Sequence, residues 1–428
     1  MSTVDINAVC LRTLSHSKPA AISTYFSLGG YKIWRDIVQK RLSPKSLLQT
    51  IKNSLLRGRG GAGFIAGLKM GFIAEQSTHP RYLVCNSDEG EPGTCKDTLI
   101  LQFNPHQLIE GMLISCYIQG MNVAYNYLRG EYRVQFDACE LAIEEAKAYG
   151  LLGENIQGSG INIHIYNLLG AGSYIVGEES AMLESIEGKP ALPRSKPPFP
   201  AAQGLYKQPT TVNNTETLAS IPIILAKGSE WFLEYGHEKS GGSKIFCVSG
   251  HVQKPGVFEL PLGVPFKTLL ALCGGMRSGR TLKAVIPGGS SMRVLPAPIM
   301  EALTMDYESL QKAGSALGSG GVIVMDDTTC MVDTLACIAR FYHHESCGQC
   351  TPCREGTGWI VRLVQKILEG KATLQDLTLL NEVARNVQGR TICAFGEAFA
   401  WPVESFLHHF QEEFVYFIKH GRSIVAQQ

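Results

Sequence analysis

The chain has 428 residues, of which 45% are hydrophobic and 18% charged, and its 39 basic and 38 acidic side chains give a net charge of +1. This length permits roughly two or three hydrophobic cores. The balanced charge excludes a broad attraction to nucleic acid or to an anionic membrane. No apolar run approaches the ~20 residues that a membrane-spanning helix needs. The N-terminus has neither a signal-peptide core nor an Arg-rich transit composition, so we expect a soluble protein.

A glycine-rich stretch, RGRGGAGFIAGLK, occupies residues 57–69 and places Gly58, Gly60 and Gly63 in the G-x-G-x-x-G pattern. That pattern binds a pyrophosphate when a strand enters the turn and a helix leaves it. Here the preceding SPKSLLQTIKNSLLRG has leucines and isoleucine at helical spacing behind a Ser-Pro start signal. A helix is therefore predicted before the glycines, and the loop either binds a ligand in another way or is only a flexible turn.

An acidic turn follows the next apolar stretch. Residues 81–97, RYLVCNSDEGEPGTCKD, begin as a predicted short strand and continue into a turn ordered by glycine and proline. The polar residues of that turn are Asn86, Asp88, Glu89 and Glu91. Acidic loops are usually only solvated, so this turn alone does not identify a site.

A second glycine turn has the context that the first one lacks. Residues 161–167, INIHIYN, alternate like a strand, and LLGAGSYIVGEE follows with Gly170, Gly172 and Gly177. The next segment, ESAMLESIEG, has helical character. This order of strand, glycine turn and helix predicts backbone N–H groups that face a phosphate or the edge of a ring.

Two further polar segments come next. Residues 192–204, LPRSKPPFPAAQG, are rigid enough to present Lys196 and Phe199 to a ligand, although a plain linker would have the same composition. Residues 210–217, TTVNNTET, offer short polar side chains that suit hydrogen bonding to a planar ring or a polyol chain. Those side chains are Asn213, Asn214 and Thr217.

The middle of the chain predicts a small β-rich unit. Residues 244–275 have the pattern of a strand, a Lys-Pro-Gly turn, a second strand and a short helix. Residues 282–297, LKAVIPGGSSMRVLPA, add a further strand and a Gly-Gly turn. The pattern is typical of a ubiquitin-like β-grasp domain, whose simplest role is that of a spacer.

The cysteines are thirteen in number, and an odd count without an export signal argues against a disulfide framework. Cys347, Cys350 and Cys353 recur every three residues in ESCGQCTPCR, and Cys393 lies farther along in GRTICAFGEAFAWP. Three cysteines in one wrap plus a distant fourth favour a [4Fe–4S] cluster, with structural zinc or a metal-free cluster as alternatives. The segment between them has helical periodicity with a break near Gly370, which predicts a small helical bundle.

Six segments resemble, in their order along residues 28–412, the flavin- and NADH-binding flavoprotein family of respiratory complex I. They are GRGGAGF, CNSDEGEPGT, GAGSYIVGEESAMLESIEGK, PRSKPPFPA, TVNNTET and ESCGQCTPCREG. The resemblance implies an α/β + α architecture. Residues 1–240 would be a Rossmann-like FMN- and NADH-binding domain with an N-terminal helical extension. Residues 241–325 would be a β-grasp, soluble-ligand-binding-like domain, and residues 326–428 a helical bundle that carries the [4Fe–4S] cluster.

The resemblance also implies which residues bind the cofactors. Lys69 would neutralise the FMN phosphate, and Glu178 and Glu179, the two residues nearest to a catalytic role, would line the pocket that FMN and NADH share. The cofactor-binding residues implied in this way are Gly58, Arg59, Gly60, Gly63, Phe64, Gly67, Lys69, Phe72, Asn86, Asp88, Glu89, Glu91, Gly170, Gly172, Tyr174, Gly177, Glu178, Glu179, Lys196, Phe199, Asn213, Asn214 and Thr217.

Within that set, the resemblance separates an NADH side from the FMN side. Phe64, Phe72 and Phe199 match positions that stack on the adenine, and the polar partners of NADH would be Glu91, Glu179 and Lys196. The [4Fe–4S] ligands would be Cys347, Cys350, Cys353 and Cys393.

The activity that the resemblance implies is hydride transfer from NADH to FMN, followed by single-electron transfer to the [4Fe–4S] cluster and on toward quinone. Partners would be a small thioredoxin-like [2Fe–2S] subunit and a large iron–sulfur subunit. The protein would lie at the cytoplasmic side of the bacterial inner membrane, peripheral and attached only through the complex.

Two other functions stay open at this point. One is the diaphorase subunit of an NAD-linked hydrogenase or formate dehydrogenase, which shares these motifs. The other is a non-catalytic assembly or electron-carrier subunit. Departures from the family pattern favour the non-catalytic subunit. Residues 64–70 are FIAGLKM where F-P-T-G-L-K-W is usual. Cys95, Thr98 and Val176 replace the usual phenylalanine, arginine and cysteine.

Overall fold

Four parallel strands form the first sheet of the structure, a computed structural model that describes residues 6–73 and 80–427. The strands are β1 (Tyr82–Ser87), β2 (Val123–Leu128), β3 (His164–Leu169) and β4 (Thr210–Asn214), in the order β3-β2-β1-β4. Asn86 pairs with Tyr127 on one side and Asn214 on the other. Because parallel strands end at the same edge, this register places the two asparagines together. The strands predicted after residues 81 and 161 are confirmed.

Both faces of this sheet are covered, which explains the apolar character of its central strand. Leu83 and Cys85 of β1 pack into the large core beneath one face. Val84 and Val212 point to the other face, where they pack with Met182. A parallel sheet is stable only when helices cover both of its faces, and the predicted Rossmann-like arrangement is confirmed in this respect.

The described part of the chain before β1 forms helices and the loops between them. Its helices are α1 (Ile22–Ser27), α2 (Lys32–Lys40), α3 (Pro44–Asn53) and α4 (Ala66–Met70). The glycine loop connects α3 to α4, and a single antiparallel bridge between Arg57 and Ile65 closes it. A helix rather than a strand therefore enters the loop, as predicted, so the loop is not an ordinary strand-to-helix dinucleotide turn. The first five residues of the N-terminus, whose composition was discussed above, lie outside the described residues.

Helices then alternate with the strands of the sheet. They are α5 (Asp97–Phe103), α6 (Pro105–Gln119), α7 (Arg133–Ala148), α8 (Glu179–Ile186), α9 (Pro200–Gln203), α10 (Thr215–Lys227) and α11 (Ser229–Glu234). α6 is buried on nearly every side, and it carries the buried Glu110. The Glu110 carboxylate accepts hydrogen bonds from the backbone of Tyr31 at 2.9 Å and Trp34 at 3.2 Å. The N-terminal helices are thereby fixed to the centre of the domain.

A five-stranded mixed sheet forms the middle unit, and its order is β6-β5-β9-β7-β8. Its elements are β5 (Ser243–Gly250), β6 (Gly256–Pro261), α12 (Phe266–Leu272), β7 (Leu282–Ile286), β8 (Leu295–Pro296), α13 (Ala297–Met300), α14 (Tyr307–Lys312) and β9 (Gly321–Asp326). β5 and β9 are parallel, whereas β6 and β7 run antiparallel to their neighbours. The predicted β-grasp fold is confirmed.

Four α-helices make up most of the C-terminal unit as far as it is described: α15 (Met331–Glu345), α16 (Thr351–Leu368), α17 (Leu374–Val387) and α18 (Phe395–His420). They pack around one core that includes Tyr342, Leu380 and Phe406. α16 ends at Leu368, and Gly370 has φ +66°, so the predicted helix break at this glycine is confirmed. Within the described ranges, none of the helices combines the length and apolarity needed to cross a bilayer.

Candidate cofactor site

The carboxyl ends of β1 and β4 meet the first glycine loop and the turn before α8. Asn86 Nδ2 donates a hydrogen bond to the carbonyl of Gly177 at 2.9 Å. Gly60 lies against Asn214, because a Cβ added to Gly60 would be 3.2 Å from the Asn214 Cβ. Four segments that are far apart in sequence thus converge at the strand ends, where open α/β sheets bind their ligands.

Two lysines and two glutamates form a chain of ion pairs above this edge. Lys69 Nζ lies 3.0 Å from Glu179 Oε2, and Lys196 Nζ lies 2.9 Å from Glu178 Oε1 and 3.0 Å from Glu179 Oε1. Burial opposes ionisation of Glu179, but the two lysines outweigh burial and hold its pKa below the usual value. Ion pairs therefore connect the glycine loop, the start of α8 and the proline-rich segment.

Glu178 also has a structural task, since it caps α8. Its Oε2 accepts hydrogen bonds from the backbone N–H groups of Ser180 and Ala181, each at 2.9 Å. Side-chain acceptors at this position satisfy N–H groups that a helix leaves unpaired in its first turn. Of the two predicted glutamates, only Glu178 is thus bonded to the backbone of α8, whereas Glu179 pairs with the two lysine side chains.

Glu91 is held from two sides of the molecule. The hydroxyl of Tyr174 donates to Glu91 Oε2 at 2.7 Å, and the backbone N–H of Ser291 donates to Oε1 at 2.8 Å. Burial raises the pKa of Glu91, and these hydrogen bonds partly oppose the rise. The β-grasp domain, which contributes Ser291, therefore takes part in building the site.

Asp88 lies in a small cleft next to the same tyrosine. The cleft is lined by Asp88, Gly90, Arg129, Gly172, Ser173, Tyr174, Phe341 and Glu345. Burial raises the pKa of Asp88 to about 7, and the nearby Arg129 opposes this. Asp88 Oδ2 is buried with no hydrogen-bond partner among the described residues. Buried polar atoms in proteins are almost always paired, so this oxygen fits a partner supplied by a ligand.

The two adjacent asparagines of β4 differ in what they can still bind. Asn214 Oδ1 accepts hydrogen bonds from Lys96 Nζ and the Glu216 N–H, both at 3.0 Å, and its Nδ2 donates to Asp97 at 2.7 Å. Asn213 Nδ2, in contrast, is buried and has no partner in the described part of the chain. Asn213 therefore offers a free donor to a cofactor, whereas the side chain of Asn214 is occupied.

Glu89 and Thr217 also have side chains that bond inside the protein, and Arg59 is bonded there in part, since its Nε is buried with no partner among the described residues. Glu89 is buried and accepts hydrogen bonds from three backbone N–H groups at the start of α5 and from a tyrosine hydroxyl. Arg59 Nη2 donates to the carbonyl of Gly241 at 2.8 Å, and the Arg59 N–H donates to Thr217 Oγ1 at 2.8 Å. These residues brace the site, and their predicted contacts with the cofactor stay predictions.

Three predicted aromatic residues are exposed, which is unusual for phenylalanine. The rings of Phe64 and Phe72 have centroids 5.8 Å apart, and 49% and 58% of their surfaces are exposed. Phe199, on the segment of Lys196, is 60% exposed. Their faces are free to stack on a planar group, as the adenine prediction requires.

The glycine loop is shaped by its own residues and by packing. The Gly58 N–H donates to the carbonyl of Phe64 at 2.7 Å, which closes the loop. Gly63 has φ +67°, and a Cβ there would lie 2.7 Å from the ring of Tyr307. Gly67 approaches the backbone of α3, where a Cβ would be 2.8 Å from the Lys52 Cα. Farther along, the Gly170 N–H donates to the carbonyl at the end of β2 at 2.8 Å.

The four predicted cysteine ligands gather at one end of the helical bundle. Cys347 and Cys350 lie in the loop between α15 and α16, Cys353 lies in the first turn of α16, and Cys393 precedes α18. Their thiols interact electrostatically, and burial raises the pKa of Cys353 to about 12 and of Cys393 to about 11. Ligation by a metal would release these protons.

The donor set of these thiols is the one that a [4Fe–4S] cluster takes. Within the described residues, no three or more His, Cys, Asp or Glu side chains are arranged to hold one metal ion. In a [4Fe–4S] cluster each cysteine binds a different iron, so the four sulfurs need not share one centre. The donor set of four cysteines, one buried and three half-buried, fits that cluster.

Three residues of the site were missed by the sequence predictions. Arg129 donates to the carbonyl of Glu89 at 2.7 Å, and Glu345 accepts from the N–H of Tyr174 at 3.0 Å. Ser291 is the third. Arg129 directly follows β2, so its position at the carboxyl edge was a usable signal. Ser291 and Glu345 lie in other units, and no local pattern points to them.

Family comparisons agree with this geometry. The Nuo51 FMN-binding domain matches residues 51–223. The SLBB domain matches residues 245–295. The iron–sulfur binding region of NADH-ubiquinone oxidoreductase F matches residues 333–416 and includes all four cysteines.

Whole-chain comparisons name the same type of protein. The F subunit of the NADH-quinone oxidoreductase of Rickettsia bellii (strain OSU 85-389) is 50% identical over 369 residues, which cover 86% of this chain and 88% of that protein. The F 2 subunit of the NADH-quinone oxidoreductase of Rhizobium meliloti (strain 1021) is 48% identical over 415 residues, which cover 97% of this chain and 98% of that protein.

Solved structures of an NAD+-reducing [NiFe]-hydrogenase share the fold. The air-oxidised form has a TM-score of 0.80 at 37% identity over 88% of this chain, and the H2-reduced form has 0.83 at 35% over 96%. This chain spans only 63% and 66% of the lengths of those hydrogenase chains. With nearly complete coverage at about half identity to its sequence relatives, the chain belongs to the family of NADH-quinone oxidoreductase F subunits.

Proposed function

We propose that the residues at the carboxyl edge of β1 and β4 bind FMN and NADH, so that the chain is the electron-input subunit of NADH-quinone oxidoreductase. When bound, FMN would supply hydride acceptance from NADH and release of single electrons, and the four cysteines would hold a [4Fe–4S] cluster that carries one electron at a time. The protein need only hold the rings in contact, so no acid–base residue is required.

The observation that carries the proposal is that two predicted site residues at this edge, Asp88 and Asn213, each have an unsatisfied polar atom. Asp88 Oδ2 and Asn213 Nδ2 are buried without partners in the described structure, although the neighbouring Asn214 and Glu89 are fully hydrogen-bonded. Leaving such atoms unpaired costs about 1–3 kcal/mol each. A flavin with donors and acceptors along its ring and ribityl chain would satisfy both.

Lys69 is the residue we assign to the FMN phosphate. Its ammonium is partly exposed and pairs with Glu179 at 3.0 Å, which leaves further N–H donors for a second anion. Lys196, which pairs with Glu178 and Glu179, would provide the corresponding cation on the NADH side. The glutamates hold the two ammonium groups in place before the nucleotides bind.

Tyr174 and Glu91 order the opposite wall of the site. Their hydrogen bond of 2.7 Å fixes the tyrosine ring, and ring contacts with Phe341, Tyr342 and Phe395 continue toward the cysteine end of the bundle. Phe395 lies two residues from Cys393. These ring contacts would lead from the proposed flavin region to the proposed cluster region through a few side chains.

The protein works as a subunit of an oxidoreductase complex. As finer assignments, we propose a small thioredoxin-like [2Fe–2S] subunit beside the flavin domain and a large iron–sulfur subunit beyond the cluster. We also propose a peripheral place on the cytoplasmic side of the bacterial inner membrane. Identities of 48–50% with the NADH-quinone oxidoreductase relatives, against 35–37% with the hydrogenase chain, favour this assembly over a hydrogenase diaphorase.

Visible spectra of the anaerobically purified chain test the activity. We expect flavin bands and an iron–sulfur shoulder that bleach on addition of NADH and far less with NADPH. Bands that dithionite bleaches and NADH does not would instead support a carrier subunit without nucleotide turnover.

A single substitution tests the cluster assignment separately. Cys393→Ser should remove most of the iron–sulfur absorbance and leave the flavin bands, because the cluster would lose one of four ligands. Cys330→Ser, which changes a half-buried cysteine outside the proposed ligand set, is the matched control. Equal iron content in the two variants would exclude Cys393 as a ligand.

A further inference from the structure

A pair of cysteines joins the flavin-binding unit to the β-grasp domain. Cys95 lies at the end of the loop that carries Glu91, and Cys247 lies on β5. The Cys95 N–H donates to Cys247 Sγ at 3.2 Å. The residues are 152 positions apart in sequence, so their contact is a property of the fold.

The distances permit a covalent bond between them. A backbone N–Cα bond is about 1.46 Å long, so the Cys95 Cα lies no more than about 4.7 Å from Cys247 Sγ. Rotation about the Cys95 Cα–Cβ bond brings its sulfur toward that atom. The Cα separations that such a geometry allows overlap the range of about 4.4–6.8 Å found in disulfides.

The loop is held against the β-grasp domain by further contacts made by the residues just before Cys95. The Ser290 N–H donates to the carbonyl of Pro92 at 3.2 Å, and the hydroxyl groups of Thr94 and Ser319 form a hydrogen bond. A Cβ on Gly321 would lie 2.6 Å from the carbonyl oxygen of Gly93. The two thiols are therefore already positioned, and bridging them requires little movement of the backbone.

The two thiols also differ in exposure and in pKa, as the two members of a reactive cysteine pair do. Cys95 is exposed, whereas Cys247 is buried with 2% of its surface accessible. The neighbouring Cys247 thiol lowers the pKa of Cys95, and Cys95, together with burial, raises the pKa of Cys247. Exposed thiols with a lowered pKa react first with oxidants, and a neighbouring thiol then resolves the product.

We propose that Cys95 and Cys247 form a reversible disulfide that locks the Glu91 loop to the β-grasp domain. A low-molecular-weight disulfide such as oxidised glutathione is the oxidant. The Cys95 thiolate attacks one glutathione sulfur, forms a mixed disulfide and releases one reduced glutathione. Cys247 then gives up its proton, attacks Cys95 Sγ and releases the second glutathione. Two thiols are oxidised, and one glutathione disulfide is reduced to two thiols.

The test uses the full-length chain with its cofactors and oxidised glutathione as the probe. After incubation, free thiols are blocked with iodoacetamide, and the digested protein is analysed by mass spectrometry. We expect a linked Cys95–Cys247 peptide pair, lighter than the two free peptides by two hydrogen atoms, which dithiothreitol separates. Most of the Cys95 population should disappear from the alkylated fraction.

Two variants and one internal control make the result decisive. Cys247→Ser should trap glutathione on Cys95, because the resolving thiol is gone, and Cys337→Ser should leave the bridge unchanged. Cys337 is exposed in the wild type and shows that the oxidant has acted. If Cys337 carries glutathione while Cys95 stays free, or if wild-type Cys95 keeps its glutathione, the proposal is wrong.

Discussion

Asp88 is a buried carboxyl group whose proton the fold retains. Burial raises its pKa to about 7, against about 3.9 for an unfolded chain. Between these values the folded state binds more protons than the unfolded state, so the free energy of unfolding falls as pH rises from about 4 to 7. The effect amounts to about 4 kcal/mol at 1.36 kcal/mol per pKa unit.

Asp88→Asn should therefore stabilise the flavin-free protein at pH 8 and change it little at pH 4, because the amide cannot ionise. Urea unfolding at the two pH values measures the difference. Asp137→Asn on α7, which replaces an exposed carboxylate, is the control and should show no comparable gain. An equal effect of Asp88→Asn at both pH values would contradict the raised pKa.

Lys69 is the residue whose charge the FMN phosphate requires in the proposed site. Lys69→Met keeps most of the apolar stem and removes the ammonium. Losing one charge-assisted hydrogen bond of about 1.5–3 kcal/mol should weaken FMN binding about 10–100-fold. The amount of FMN that stays bound through gel filtration is measured from the fluorescence of the flavin released from the protein. Lys45→Met on the exposed face of α3 is the control, and equal flavin in both variants would remove Lys69 from the phosphate site.

The glycine loop is the element on which the site depends most directly. Gly63→Ala introduces a Cβ at φ +67° that would lie 2.7 Å from the ring of Tyr307. We expect a loss of about 2–5 kcal/mol from backbone strain and overpacking, together with loss of bound FMN. Thermal unfolding and flavin content measure both effects.

Gly150→Ala is a matched control for that prediction. Gly150 has φ +65°, close to that of Gly63, but an added Cβ would meet no atom within 4 Å. The Gly150→Ala substitution should lower the free energy of unfolding by only about 1–2 kcal/mol and leave FMN bound. If the two variants lose the same amount of stability and flavin, the contact with Tyr307 does not shape the site.

Elements were predictable from sequence wherever the signal was local. The helical spacing before the glycines predicted α3, and the alternation in INIHIYN predicted β3. The individual roles of Asn213 and Asn214 were not predictable, because their difference arises from Lys96 and Asp97, which lie more than a hundred residues away. The contributions of Ser291 and Glu345 were hidden for the same reason.

At the scale of the whole molecule, one buried carboxylate joins two units. Glu216 on α10 lies 2.5 Å from Lys244 Nζ on β5 and 3.1 Å from Lys96 Nζ, and its Oε1 accepts the Ile245 N–H at 2.9 Å. Burial lowers the pKa of Lys244 to about 8, which Glu216 opposes. Breaking a buried pair by removing one partner costs about 3–5 kcal/mol, since the other charge stays uncompensated.

Glu216→Gln should therefore destabilise the protein by about that amount near pH 7. The loss should shrink as pH rises above 8, because Lys244 then sheds its proton and no longer needs the carboxylate. Thermal unfolding at pH 7 and pH 9 measures both. Glu369→Gln, which breaks a pair on the surface, should shift the transition little. A Glu216→Gln loss that does not change with pH would contradict this account.

The division of the site among three units also governs when it can be completed during synthesis. Glu91 needs the N–H of Ser291, and the Tyr174 N–H needs the carboxylate of Glu345. A ribosome delivers the flavin-binding unit well before either residue emerges, and domains fold in the order in which they appear. The binding site of the nascent flavin-binding unit therefore stays incomplete during synthesis. We expect the cofactor to bind late, after the C-terminal helices have docked.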